Sequence, residues 1–119
     1  MSRGRFGIVI AVLVVFAAVG AYLLFSTKGA GPQDVTFNVT VTGGSKMQPD
    51  RLPAHQNDMV TINVTSDTDG EVHLHGYDIP FDTKAGQVVS DTFKAVNTGD
   101  FPIEWEETST GLGDLVVSP

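Results

Sequence analysis

At 119 residues, with seven basic side chains against fourteen acidic ones and no cysteine, the chain has room for one domain and none for thiolate chemistry. Zinc fingers, dithiol redox pairs and cysteine nucleophiles are therefore excluded. The acidity is concentrated: from Gly29 onward only Lys46, Arg51, Lys84 and Lys94 face all fourteen acids, which argues against nucleic acid and against adhesion to an anionic membrane surface.

The N-terminal part has a different character. Arg3 and Arg5 precede FGIVIAVLVVFAAVGAYLLF, an uncharged run of twenty residues from Phe6 to Phe25. As a helix it would be roughly 30 Å long, about the thickness of a bilayer hydrocarbon core. The preceding arginines orient it with the N-terminus in the cytoplasm. The run is longer than the apolar stretch of a cleaved signal peptide, and it ends in bulky Tyr22-Leu23-Leu24-Phe25 instead of a small-residue site. The expectation is a cytoplasmic stub over 1–5 and one uncleaved transmembrane signal anchor over 6–25. A Gly/Pro linker over 26–34 then leads to a domain over 35–119 on the extracytoplasmic, periplasmic side of the cell membrane. The competing reading is a cut after Ala21 or Ala30.

Beyond the linker the pattern changes to period 2. Val35 to Thr42 alternates, with Phe37, Val39 and Val41 on one face and threonines and Asn38 on the other. Ser45 to Asn57 contains Pro49 and Pro53 and is expected to be loop. Asp58 to Ser66 resumes the alternation and Asp67 to Gly70 turns. Glu71 to Ile79 is expected as one strand and Pro80 to Gly86 as a turn. Gln87 to Val96 is expected as a strand with Val89, Phe93 and Ala95 inward. After a turn at Asn97 to Asp100, Phe101, Ile103 and Trp105 alternate inward with Pro102, Glu104 and Glu106. Thr108 to Gly111 is expected as loop, and Asp114 to Ser118 as a closing strand with Leu115 and Val117 inward. Six short strands with regular turns and no amphipathic helix predict an all-β, antiparallel Greek-key sandwich. The Asn38 and Asn63 triplets match the glycosylation sequon but lie in expected strands and carry no weight.

The chemistry-bearing stretch is Glu71-Val72-His73-Leu74-His75-Gly76-Tyr77-Asp78. On a strand, His73 and His75 share one face with Glu71 and Tyr77, while Val72 and Leu74 share the other. Burial of Val72 and Leu74 leaves both imidazoles at a surface, where they are either plain polar positions or two ligands of one ion. Copper or zinc are the ions such a pair would take, and no cofactor is fixed by the residues alone. Two ligands are too few, so a third has to come from Glu104, Glu106, Glu107, Asp78 or His55, with Glu106 placed beside the pair in the candidate site. Met47 and Met59 would matter only for Cu(I). No nucleophile elbow, zinc-protease or phosphate-loop motif is present, so the chain does not read as an enzyme.

Taken together, the opening strand with Gly43-Gly44, the strand DMVTINVTSD, then EVHLHGYD, GDFPIEWE and the closing GLGDLVVSP resemble a cupredoxin-like domain over Val35 to Pro119. The resemblance is to the small exported bacterial subgroup, similar to the cupredoxin-like domain of periplasmic iron-uptake proteins. It implies a metal-related setting at the cell envelope. It also implies that the Cys, second His and Met of a type 1 copper loop fall at Trp105, Thr108 and Gly113, none of which serves. Three functions follow: a membrane-anchored accessory module that is not a blue-copper electron carrier; a periplasmic copper- or zinc-binding protein using His73 and His75; or a ligand-free module for a protein partner.

Overall fold

The structure is a computed structural model that describes residues 31–119. The expected stub, membrane segment and most of the linker lie outside the described residues. Among those that are described, no helix is long and apolar enough to cross a membrane.

Among the described residues, nine strands form two sheets. They are β1 (Asp34–Thr42), β2 (Lys46–Gln48), β3 (Arg51–His55), β4 (Met59–Ser66), β5 (Gly70–Leu74), β6 (Ile79–Thr83), β7 (Val88–Lys94), β8 (Gly99–Trp105) and β9 (Thr110–Ser118). One sheet runs β2-β1-β4-β7 and the other β3-β9-β8-β5-β6. The core lies between them. Alternate residues of each strand point inward, among them Val39 and Val41 of β1, Val60, Ile62 and Val64 of β4, Val72 and Leu74 of β5, and Ile103 and Trp105 of β8. Leu115 and Val117 are buried as the alternation predicts, and Val89 and Phe93 pack on the core from β7, an edge strand.

The structure corrects the expected pairing. The sandwich is not wholly antiparallel: β1 runs parallel to β4, and β3 parallel to β9. The segment expected as loop carries the chain from β1 to its parallel partner β4, with β2 joining one sheet and β3 the other, while β4 to β8 connect β3 to its parallel partner β9. Pro53 lies inside β3, the outermost strand of its sheet, where a missing N–H faces away from the only partner strand. Reading prolines as breakers was the error, since an edge strand accepts them.

The histidine segment is likewise a hairpin and not one long strand. β5 ends at Leu74, the chain turns over His75–Asp78, and β6 returns antiparallel to β5 with His73 opposite Pro80. Gly76 makes the turn with φ +87°, and a Cβ there would meet Phe101 Cδ1 at 2.3 Å. The sequence therefore needs glycine at this position twice over, for the left-handed backbone and for the close approach. The turn at Pro80 to Gly86 starts later than expected, after Thr83.

Candidate metal centre on the outer face of the histidine sheet

Burying Val72 and Leu74 turns Glu71 and His73 to the outer face of the five-stranded sheet. The backbone N–H of His75 donates to Pro102 O at 2.9 Å, so β5–β8 contact continues one residue past the strand. His75 thus stays in line with His73, and their rings lie 4.7 Å apart between centroids, tilted by 35°. The neighbouring strand adds the acids. Register sets Glu104 of β8 opposite His73, and the chain beyond Trp105 enters a single 3₁₀ turn, Glu106–Thr108, that carries Glu106 alongside.

The contacts divide between the two rings. His73 Nδ1 is 3.1 Å from Glu71 Oε2 and 3.6 Å from Glu106 Oε2, and its Nε2 is 3.0 Å from Asp78 Oδ1. His75 Nε2 is 3.1 Å from Glu104 Oε1. Among the described residues, two groups of three have ligand atoms all within 4.8 Å of one another: Glu71, His73 and Glu106; and His75, Glu104 and Glu106. The pair and Glu106 are thus brought together as the sequence suggested, with Glu104 as the other acid. Glu71 was missed as a ligand, although its i, i+2 spacing to His73 was the available signal. Neither group contains both imidazoles.

The other sequence candidates are elsewhere. Asp78 holds the far nitrogen of His73, the position of a carboxylate that orients a ligating imidazole. Glu107 accepts the Glu71 N–H at 3.1 Å and so pins the start of β5. His55 lies on β3, with β9 and β8 between it and β5, three strand spacings or roughly 14 Å away. Met47 is buried in the core, and Met59, expected to pack, is exposed on β4 of the opposite sheet.

The type 1 copper positions do not fit that metal. The Trp105 ring is buried, with Gly44 and Gly70 against it; a Cβ at either glycine would lie 2.6 Å or 2.3 Å from ring atoms. Thr108 is exposed and its hydroxyl shares a hydrogen bond with Thr110. Gly113 packs where a Cβ would meet Asp50 O at 2.3 Å. With no cysteine in the chain, no blue-copper ligand set can form.

The carboxylates raise the pKa of His73 above its ordinary 6.5, chiefly through the Glu71 hydrogen bond, against burial and with help from the charges of Glu106, Asp78 and Glu71. A folded pKa above the unfolded one contributes stability that is complete below about 6.5 and is lost as pH rises through the raised value. In metal-free protein, the urea midpoint is therefore expected to fall across that window, and to fall less in His73→Gln. A metal displaces the same proton, so metal affinity is expected to rise over the same window. Urea titrations and metal titrations at stepped pH check both signs.

No protein-family model matches the chain, and no curated protein matches it. Solved structures do. The solution structure of a copper-binding protein in its apo form superposes with a TM-score of 0.59 at 14% identity, over 75% of this chain and 99% of that one. A chain of a heme-copper terminal oxidase dimer also gives 0.59 at 14% identity, over 97% and 99%. Auracyanin A, a blue copper protein from Chloroflexus aurantiacus, gives 0.54 at 15% identity, over 71% and 98%. Identities this low establish likeness of fold.

Proposed function

We propose, for a domain that is cupredoxin-like in fold and has no thiolate, that it is a metal-binding accessory module at the outer face of the cell membrane. Its ligands are His73, His75, Glu71, Glu104 and Glu106. It is neither an enzyme nor a blue-copper electron carrier. The observation that carries the reading is the pair of His/Glu groups converging on Glu106. Imidazole with carboxylate suits Zn(II) and Cu(II). The copper proteins of the same fold support a metal-related setting, and the acidic face would meet a basic or metal-donating protein partner.

Calorimetric titration of the full chain in detergent with Zn(II) and with Cu(II) tests the reading. Loss of even an outer partner of a ligand costs about 10–100-fold in affinity, so His73→Ala/His75→Ala is expected to bind at least ~100-fold more weakly. Equal binding by the double variant, or none by wild type, sinks the proposal.

The membrane placement rests on the uncharged run over 6–25 and the arginines before it. N-terminal sequencing of protein purified from its host is expected to start at Met1 or Ser2. A start anywhere between Tyr22 and Gly31 would mean a cleaved signal.

A further inference from the structure

We infer that the outer-face cluster binds two divalent ions, bridged by the Glu106 carboxylate, and not one. This rests on the metal-binding reading above and deepens it. Three observations on the same residues support it.

The first is how the donors divide. His73 Nδ1 faces Glu71 and Glu106, His75 Nε2 faces Glu104, and the two groups of mutually close ligand atoms have Glu106 in common and no other member. A single ion would have to choose one imidazole. Two ions use every donor once and Glu106 twice, and a carboxylate has two oxygens to offer.

Spacing is the second. Ions in two-metal sites sit about 3.5–4 Å apart. The two rings that would each supply one ion lie 4.7 Å apart between centroids, near enough for ions bound beside them to share one carboxylate, and the His75 N–H bond to Pro102 O keeps His75 next to His73 just past the end of β5.

Charge is the third. Glu71, Glu104 and Glu106 carry three negative charges, and Asp78 adds a fourth at 3.0 Å from His73 Nε2. One divalent ion leaves two of these four charges uncompensated, whereas two ions neutralise them. Each ion would have one imidazole and two carboxylate donors, with water completing the shell, a set suited to Zn(II), Cu(II) and other ions that accept nitrogen and oxygen together.

The test uses Cu(II) as probe on the full chain in detergent, with bound metal measured by elemental analysis and the spins by electron paramagnetic resonance. Wild type is expected to hold two Cu(II) per chain and to show the half-field transition of a coupled pair. His73→Ala and His75→Ala are each expected to hold one Cu(II) with an uncoupled spectrum. Glu106→Ala is expected to abolish the half-field signal, and since Glu106 is half exposed its circular dichroism should match wild type. One Cu(II) per wild-type chain overturns the two-ion inference and leaves the metal-binding reading standing. Two ions with no half-field signal, or a signal unchanged in Glu106→Ala, overturn the bridge. Failure to bind any Cu(II) overturns both readings.

Discussion

Replacing Trp105 by alanine is expected to cost about 3–5 kcal/mol, the range for a buried aromatic whose neighbours cannot close over the gap. Trp105 is 5% exposed at the end of β8, in register with Val72, and its ring lies against the backbones of Gly44 and Gly70. Glycines have no side chain to move into the space, so the cavity stays. For a domain of this size the thermal midpoint should drop by more than ~12 °C. Calorimetry or a urea titration reads the loss. A change below about 1 kcal/mol would mean that Trp105 is not the plug of this end of the sandwich. The converse substitution sharpens the argument. Gly70→Ala places a Cβ 2.3 Å from the ring and is expected to cost about 1–3 kcal/mol in the wild-type background. In Trp105→Ala it should cost much less, because the clash partner is gone; neighbouring residues that share a space are the case in which additivity fails.

Metal is expected to stabilise the fold by a comparable amount. A ligand that binds only the native state adds RT ln(1 + [L]/Kd), about 2.7 kcal/mol at one hundred times Kd. The proposed ligands come from β5 and the turn after it, from β8 and from the 3₁₀ turn that follows it, so they assemble only when these elements are packed, and the unfolded chain has no equivalent site. Saturating Zn(II) should raise the thermal midpoint of the wild-type chain by roughly 10–20 °C, and a chelator should reverse it. In His73→Ala/His75→Ala the shift should vanish. A shift of equal size in the double variant would place the ion elsewhere on this acidic surface. The direction also tests the electrostatics: with four carboxylates crowded on two imidazoles, ions relieve repulsion that the metal-free protein carries at high pH.

Much of the fold was legible because side-chain alternation is a local property. A period of 2 in β1, β4, β8 and the end of β9 marked which residues are buried, and Val72 and Leu74 were correctly turned inward. The misreadings share a cause. Pro53 would break a central strand but not the edge strand β3, and the sequence does not say which strands will be edges. Similarly, EVHLHGYD reads as continuous β pattern, while in the fold Gly76 takes a left-handed backbone and Phe101 of another strand fills the space a side chain there would need.

The candidate site divides along the same line. By itself the sequence determined that no thiolate site exists, that the domain is a β-sandwich, and that His73 and His75 share a face with Glu71, since composition and a two-residue period depend on neighbours along the chain. Tertiary structure decided which acids those imidazoles meet. Glu104 and Glu106 reach them through the β5–β8 register, and that register is set by how Val72 and Leu74 pack beside Trp105 and Ile103. A shift of one residue would have turned Glu104 into the core and left the histidines with Glu71 and Asp78 of their own hairpin.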